Sequence, residues 1–243
     1  MSRDDLEQEQ GGPELVRDER GLALMGAGME LRVDFAEMLP RVRQDRLGHE
    51  LLVRAARVKG VEHPVAWDAT AGLGEDSFLL AAVGFKVELY ERDARVAALL
   101  HDGLERAAAE PELADIVCRM HLHEGDSIAA LEQLSSEAEP RASDADSPVQ
   151  DAEVIPARPD VIYLDPMFPA RSKSAAVKKK AQLMQMLEEP CTDEEACALV
   201  RAALAARPRK VVVKRPLKGP YLAGIKPAYS VEGRAVRFDV LVV

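Results

Sequence analysis

From residue 65 to its C-terminus the chain alternates short apolar runs with longer amphipathic stretches. The apolar runs predict strands at 65–68, 86–91, 116–122, 160–164, 210–214 and 235–243. Helical spacing predicts helices at 76–83, 94–109, 127–134 and 192–206, the last opened by a capping box of Thr192 and Glu195. Strands joined by helices of this length imply right-handed crossovers. We therefore predict an α/β, Rossmann-like fold with a mostly parallel, doubly wound sheet.

The first 60 residues follow a different pattern. Apolar clusters at 15–17, 21–25 and 30–35, separated by Gly-containing turns, predict a small antiparallel β-meander. Residues 41–59 have helical spacing, with Gly48 as the point where a helix can break. We predict an N-terminal unit of meander plus helix at 1–60, followed by the α/β domain at 61–243.

The distribution of charge changes the picture that the net charge gives. The formal net charge is -10, and residues 1–20 and 131–153 carry that whole excess, -4 and -6. Residues 171–180 hold five basic residues and 207–218 hold six, with no acids in either. These clusters favour an anionic polymer as a partner, although solvated helix faces and strand ends would give the same pattern. Residues 135–158, rich in Ser, Pro, Ala and acids, predict a flexible loop.

Cysteine content and hydropathy restrict the compartment. Three cysteines at irregular spacing are too few for a disulfide framework and indicate a reducing environment. Neither a signal peptide nor an apolar run long enough to span a bilayer is present in the sequence, so we expect a cytoplasmic protein with no membrane partner. Cys118, His121 and His123 fall on mixed faces of a predicted strand, so we expect no metal site. The sequence leaves the oligomeric state open.

The stretch from Asp160 to Ala170 carries the most specific chemistry. Its apolar run ends at Asp165, and Pro166 cannot continue a strand, so Asp165 is predicted at the carboxyl edge of the sheet, where open α/β sheets bind ligands. A carboxylate there can accept the N–H bonds of an exocyclic base amine and direct its lone pair towards a methyl donor. Phe168 can stack on the base. A proline-rich strand exit without function is the alternative.

Three further turns predict a nucleoside-containing cofactor. Gly72 and Gly74 follow the first α/β strand, where glycine allows a tight turn and close approach to a ligand, although a purely structural turn would also use them. Glu91 ends the second strand, where acids commonly bind ribose hydroxyls in both NAD and S-adenosylmethionine (SAM) enzymes. Asp126 and Ser127 follow the third strand, beside the expected adenine edge. Capping of the next helix is the alternative for Glu91, Asp126 and Ser127.

Five blocks of the sequence resemble the RsmJ family of bacterial 16S rRNA (guanine-N2)-methyltransferases. These blocks are 12–25, 31–35, 68–74, 163–169 and 211–216, and the resemblance covers nearly the whole chain outside 1–11 and the acidic loop. It implies a SAM-dependent methyltransferase fold with a small N-terminal β-rich extension. It also implies SAM as the methyl donor and, as the acceptor, a guanine N2 in the 3′-terminal region of 16S rRNA or of the small ribosomal subunit.

The resemblance, together with the residue chemistry, gives a set of expected site residues. Asp165 and Phe168 would be catalytic. The expected cofactor-binding residues are Asp68, Gly72, Gly74, Glu75, Asp76, Glu91, Arg92, Asp126, Ser127 and Asp165. The expected RNA-binding residues are Lys173, Lys178, Lys179, Lys180, Lys214 and Arg215. Glu75 and Asp126 depart from the family, which usually has Arg and a small hydroxyl residue at these positions.

Two other functions are compatible with the residues. A SAM-dependent methyltransferase acting on another RNA, a small molecule or a protein would use the same cofactor turns. A nucleotide-binding or RNA-binding module without catalysis would retain the basic segments. Salt dependence of substrate binding distinguishes an RNA substrate from a small molecule, because each neutralised phosphate releases counterions. SAM titration distinguishes the enzyme from the module.

Overall fold

The N-terminal part of the protein is a three-stranded antiparallel meander. The computed structural model describes residues 12–136, 158–166, 182–184, 186–187 and 191–243. The meander strands are β1 (Glu14–Asp18), β2 (Gly21–Gly26) and β3 (Met29–Leu31). Leu24 lies opposite Leu15 on one side and Leu31 on the other, so the three strands share an apolar face. The predicted meander is confirmed, with a shorter third strand.

The main sheet holds seven strands within the described residues. They are β4 (Val65–Asp68), β5 (Lys86–Glu91), β6 (Met120–Glu124), β7 (Val161–Leu164), β8 (Lys210–Pro216), β9 (Tyr229–Glu232) and β10 (Val236–Val242). Their order is β6-β5-β4-β7-β8-β10-β9. The strands from β6 to β8 in this order pair in parallel, and β10 is antiparallel to both neighbours. The predicted mostly parallel, doubly wound sheet is confirmed.

The strand order reverses between β4 and β7, which places the site. From β4 the chain moves outward through β5 to β6 and then returns to β7 on the other side. β4 and β7 pair in parallel, with Asp68 opposite Tyr163. A reversal of this kind leaves a crevice outside the carboxyl ends of the two strands. The residues that end β4, β5, β7 and β8 therefore face a common edge.

Short helices flank the sheet. Among the described residues they are α1 (Leu39–Val42), α2 (Gln44–Leu47), α3 (Leu51–Ala56), α4 (Glu75–Ala82), α5 (Ala94–Ala108), α6 (Pro111–Val117), α7 (Ser127–Ser136) and α8 (Asp193–Ala205). α8 begins with the predicted capping box, in which Thr192 Oγ1 accepts from the Glu195 N–H and Glu195 Oε2 from the Thr192 N–H. Caps of this kind contribute about 1 kcal/mol each.

The two faces of the sheet bury separate apolar clusters. On one face α4 and α5 pack against β5 and β7, and Leu24 and Leu31 of the meander join the same cluster. On the other face Trp67 and Ile162 pack against α7 and α8. Burial of each large apolar side chain contributes about 1.5–3 kcal/mol. The meander is thus held on the α/β domain by a shared core.

Two predicted elements were wrong in extent. Residues 41–59 do not form one helix, because the backbone is extended at Arg43 and Glu50 and divides the segment into α1, α2 and α3, with Gly48 ending α2. The predicted strand at 116–122 begins too early. Pro111 at the first turn and the buried pair Leu113 and Val117 make that segment α6, and β6 starts at Met120.

The C-terminal part contains a strand that the sequence did not predict. β9 lies at the sheet edge, and β10 inserts between it and β8, antiparallel to both. Of the predicted flexible loop at 135–158, residues 137–157 lie outside the described residues, as do residues 1–11. In the described ranges, no helix is long and apolar enough to cross a membrane.

Candidate active site

A cleft opens at the carboxyl ends of β4, β5 and β7. Its empty volume is about 720 Å³, counting the open mouth. Polar lining residues are Thr70, Glu91, Arg92, Asp126, Ser127, Asp165, Cys191 and Glu195. The remaining lining residues are Ala69, Gly72, Tyr90, Gly125, Ile128, Pro166, Met184 and Leu199. The cleft therefore combines apolar walls with convergent acceptors.

Glu91 joins the end of β5 to the turn after β4. Its Oε2 accepts from the Gly72 N–H at 2.8 Å and its Oε1 from the Asp93 N–H at 2.9 Å. Burial raises the pKa of Glu91, and the backbone N–H groups of Asp93, Gly72 and Arg92 oppose this effect. Each carboxylate oxygen has a second lone-pair site. A buried acid that lines the cleft with this remaining capacity suits the two hydroxyls of a ribose.

The two predicted glycines have different roles. Gly72 (φ +53°) lines the cleft, and a Cβ built on it would meet no protein atom within 4 Å. Gly74 (φ +76°) is the N-cap of α4 and faces the core, where a Cβ would lie 2.7 Å from Leu100 Cδ1. Gly74 is thus required for packing, and only Gly72 lies where a ligand could approach its backbone.

Asp68 lies beneath the turn, 1% exposed. Its Oδ2 accepts from Ser77 Oγ at 2.6 Å and its Oδ1 from the Thr70 N–H at 3.1 Å. Burial raises the pKa of Asp68 to about 7, and the nearby Asp76 and Asp165 carboxylates add to the effect. Asp68 therefore stabilises the turn through hydrogen bonds on the side away from the cleft.

Lys214 connects two carboxylates beside the cleft. Its Nζ donates to Asp165 Oδ2 at 2.7 Å and to Asp76 Oδ2 at 2.8 Å. Tyr163 Oη also donates to Asp76 Oδ2, at 2.6 Å. The backbone N–H of Asp165 donates to Thr70 Oγ1 at 2.7 Å. Asp165 is thus held through its backbone and through one carboxylate oxygen.

The three charged groups of this cluster shift one another's pKa. Burial alone would raise the pKa of Asp76, but the Lys214 ammonium and the Tyr163 hydroxyl hold it below its usual value. Burial raises the pKa of Asp165; the Lys214 ammonium opposes this effect and the Asp76 carboxylate adds to it. Burial alone would lower the pKa of Lys214, but the two carboxylates raise it well above its usual value.

The other predicted cofactor residues lie at the rim of the cleft or away from it. Ser127 is buried and lines the cleft, whereas Asp126 is exposed and its Oδ1 accepts from the Ile128 N–H at 2.9 Å. Arg92 lines the cleft and pairs with Glu195 at 3.3 Å. Glu75 is exposed on the first turn of α4 and is not among the lining residues.

The structure places two predicted RNA-binding residues, Lys214 and Arg215, on opposite faces of β8. Lys214 points between two carboxylates, and Arg215 points to the opposite face, where it is buried and donates to the Pro220 carbonyl. Alternation along β8 explains this difference, because successive side chains of a strand point to opposite faces. Neither side chain is placed to bind a phosphate at the surface. Phe168, Lys173, Lys178, Lys179 and Lys180 lie outside the described residues.

Several lining residues were not predicted from the sequence. Thr70 stands two residues before Gly72 in the turn and anchors Asp165, so the turn motif itself carried a signal for it. Tyr90 lines the cleft beside Glu91, with its ring centroid 4.7 Å from that of His123. Glu195 and Leu199 come from α8, and no local pattern announces that α8 reaches the cleft.

The residues present fit a nucleoside cofactor such as SAM. Glu91 offers acceptors to a diol, Gly72 leaves its backbone open, and Ile128 and Leu199 provide apolar surface for a planar base. The space beside the Gly72 Cα is open, with no protein atom within 4 Å of an added Cβ. The described residues contain no group of three or more His, Cys, Asp or Glu side chains that could hold a metal ion.

Sequence comparison finds relatives along nearly the whole chain. The family model described as putative SAM-dependent methyltransferase matches residues 5–243. Ribosomal RNA small subunit methyltransferase J of Thioalkalivibrio sulfidiphilus is 42% identical over 237 residues, covering 94% of this chain and 84% of the relative. The protein of the same name from Neisseria meningitidis serogroup C, strain FAM18, is 40% identical over 223 residues, covering 92% of this chain and 80% of the relative.

Structure comparison identifies a relative of the same kind as sequence comparison does. The crystal structure of the SAM-dependent methyltransferase NGO1261 from Neisseria gonorrhoeae matches with a TM-score of 0.71 and 33% sequence identity. The match covers 96% of this chain and 84% of that chain. The likeness thus includes both the meander and the main sheet.

Proposed function

Because this chain belongs to the family of SAM-dependent methyltransferases that includes ribosomal RNA small subunit methyltransferase J, we propose that it methylates ribosomal RNA of the small subunit. The proposed acceptor is the exocyclic N2 of a guanine in the 3′-terminal region of 16S rRNA. The names of the relatives support the RNA class. The choice of guanine N2 rests on the resemblance described above and on the chemistry of Asp165.

The observation that carries this proposal is that Asp165 and Glu91 line one cleft. Glu91 stands at the end of β5, where a ribose is expected, and Asp165 follows β7 on the other side of β4. A cofactor held at Glu91 and a base held at Asp165 would meet above the end of β4. Because the Asp165 carboxylate accepts hydrogen bonds, the substrate would need an N–H or O–H group at the reacting atom.

On the cofactor side, the chain supplies acceptors and apolar walls. Glu91 would bind the ribose hydroxyls, and Gly72 would let its backbone approach the ligand. Ser127, Asp126 and Arg92 would stand around the base and the rim. When bound, SAM would supply an electrophilic methyl group, and cleavage of its S–CH₃ bond would leave S-adenosyl-L-homocysteine as the product.

On the substrate side, Asp165 would bind and orient the amine. The lone pair of an exocyclic amine is delocalised into the base, so the nitrogen is a poor nucleophile in a planar geometry. A carboxylate that accepts an amine N–H favours pyramidal nitrogen and directs its lone pair. The amine proton can leave to solvent after transfer, so catalysis depends mainly on positioning. Phe168 would stack on the guanine.

The RNA backbone would be bound by basic residues of the segment 171–180. Lys173, Lys178, Lys179 and Lys180 remain the proposed phosphate contacts. Their positive charge would give RNA binding a steep salt dependence. A free small-molecule substrate would not show this dependence.

A transfer assay followed by mass mapping tests the function. Small-subunit rRNA from cells that lack this protein would be incubated with the purified protein and SAM, as naked RNA and as assembled particles. We expect one methyl group on guanine N2 near the 3′ end. Asp165→Ala should lower transfer at least 100-fold with SAM affinity within threefold of wild type. The matched control is Asp115→Ala, an exposed position on α6, which should transfer normally. A methyl group on another base, or none, would overturn the proposal.

A further inference from the structure

Lys214 hydrogen-bonds Asp165 directly. β7 and β8 are neighbouring parallel strands, with Leu164 opposite Val213. Asp165 and Lys214 are the next residues on the two strands, so they lie side by side at the same edge of the sheet. Their side chains are 36% and 27% exposed, and the contact is 2.7 Å. Charge-assisted hydrogen bonds of this length are about twice as strong as neutral ones. Lys214 therefore fixes the rotamer of Asp165.

The far end of this contact is also fixed. Lys214 Nζ is held by Asp76 Oδ2 at 2.8 Å, and the same oxygen accepts from Tyr163 Oη at 2.6 Å. Tyr163 is 1% exposed, so its ring cannot shift easily. The chain from Tyr163 through Asp76 and Lys214 to Asp165 thus transmits the rigidity of the core to the cleft.

The charge of Lys214 matters as much as its reach. Asp76 and Asp165 share one ammonium, and both carboxylates lie close enough to Asp68 to add to the rise in its pKa. Without a cation, like charges at this spacing cannot all remain ionised. Among the described residues, Lys214, Asp76 and Arg215 act electrostatically on Asp165, and Asp165 in turn raises the pKa of Asp68 and Tyr163. Arg215 points to the other face of β8, so Lys214 is the cation in direct contact.

We propose that Lys214 is a positioning residue of the transfer reaction, which holds Asp165 through one carboxylate oxygen and keeps it ionised to accept the amine N–H of the substrate. The inference rests on the proposed function. A carboxylate offers about four acceptor sites on two oxygens, so the contact with Lys214 leaves capacity for the substrate. A protonated Asp165 would instead present its O–H group, a donor, to the N–H group of the amine.

The pH dependence of transfer separates this role from a purely structural salt bridge. Asp165 must be ionised, so activity is lost as pH falls through its pKa. An opposite charge at this distance lowers a carboxyl pKa by about 1–3 units, and its removal moves the loss of activity to higher pH. Lys214→Met, at saturating SAM and RNA, should lower the single-turnover rate at pH 7 at least 10-fold and raise the midpoint of the acidic limb by about one unit or more. Lys214→Arg, which keeps the charge, should restore the midpoint.

Lys210 offers a matched control on the same strand. Its Nζ donates to the carbonyls of Ala55 and Arg57 and to Tyr229 Oη, away from the cleft. Lys210→Met removes a comparable lysine and should lower the melting temperature while leaving the acidic limb in place. SAM affinity, measured by titration calorimetry, should stay within threefold in the Lys214 and Lys210 variants.

A double variant keeps the test decisive if Lys214→Met is poorly folded. Asp76→Asn/Lys214→Met removes one carboxylate together with the lysine, so the acidic limb should move less than in Lys214→Met. Wild-type transfer with an unmoved limb in both variants that lack Lys214 would overturn the positioning role alone. Absence of rRNA methylation by the wild-type protein would overturn the proposed function and this inference with it.

Discussion

The backbone N–H of Gly72 donates to Glu91 Oε2 across 2.8 Å and ties the turn after β4 to the end of β5. The other oxygen of Glu91 accepts from the Asp93 N–H at 2.9 Å. One buried carboxylate therefore shapes both turns that border the cofactor side of the cleft. Its remaining acceptor sites suit a ligand that presents two hydroxyl donors close together, as the ribose of SAM does.

Glu91→Gln should weaken SAM binding about 10- to 100-fold. In Glu91 each carboxylate oxygen accepts from one backbone N–H group. The amide of glutamine has one acceptor oxygen, so its NH₂ group would face the other backbone N–H. Titration calorimetry measures the loss. Glu88→Gln is the matched control on the same strand, because Glu88 pairs with His123 and Lys86 and does not line the cleft. Equal SAM affinity in Glu91→Gln and wild type would contradict a ribose contact.

Gly74→Ala should destabilise the protein by about 2–3 kcal/mol. The positive φ costs about 1 kcal/mol for alanine, and the added Cβ would lie 2.7 Å from Leu100 Cδ1. Gly28→Ala separates the two effects, since Gly28 has φ +69° but no atom within 4 Å of the added Cβ. Urea unfolding should show the smaller loss for Gly28→Ala. Equal losses in the two variants would mean that the contact with Leu100 relaxes freely.

Asp68→Asn should alter how stability depends on pH. Burial raises the pKa of Asp68 from the ordinary 3.8 to about 7, so the folded protein binds this proton more tightly than the unfolded chain. Stability from this group is therefore present below about pH 4 and is lost as pH rises towards 7. Between pH 5 and pH 8 the wild-type protein should lose about 2 kcal/mol relative to Asp68→Asn. Urea unfolding without SAM at both pH values measures this, and identical pH profiles would contradict it.

Elements with local signals were predictable from the sequence. β5 was predicted with its observed bounds because its apolar run ends in charged residues on both sides. The capping box of Thr192 and Glu195 located the start of α8 because both partners lie within four residues. The segment at 111–117 carried helix signals in Pro111 and Glu112. The apolar residues 116–118 also fit a strand pattern, which is why the predicted strand begins before β6.

The contacts that organise the site had no local signal. Asp76 and Lys214 are separated by 138 positions and meet only because β8 is two strands from β4 in the sheet. The sequence placed Lys214 in a basic cluster, and charge counting cannot tell which face of a strand each cation occupies. Lys214 and Arg215 consequently had the same predicted role, although alternation along β8 sends them to opposite faces.

A buried ion pair holds the loop that follows β8. Arg237 Nε donates to Asp239 Oδ1 at 2.8 Å, and both residues are at most 5% exposed. The guanidinium also donates to the carbonyl of Pro216, the last residue of β8, and to those of Leu217 and Gly219 in the loop. The Arg237 side chain thus holds the backbone just after Lys214 and neutralises the buried Asp239 carboxylate.

Arg237→Met should destabilise the protein by about 3 kcal/mol, because it leaves the Asp239 carboxylate buried without its cation. Adding Asp239→Asn should recover at least about 1 kcal/mol, since the second change removes the unpaired charge and Ser230 can still donate to the amide oxygen. Arg234→Met, at an exposed position of the same hairpin, should stay within about 0.5 kcal/mol of wild type. Urea unfolding of the four proteins provides the comparison. If the double variant were less stable than Arg237→Met, the loop carbonyls rather than the buried charge would account for the loss.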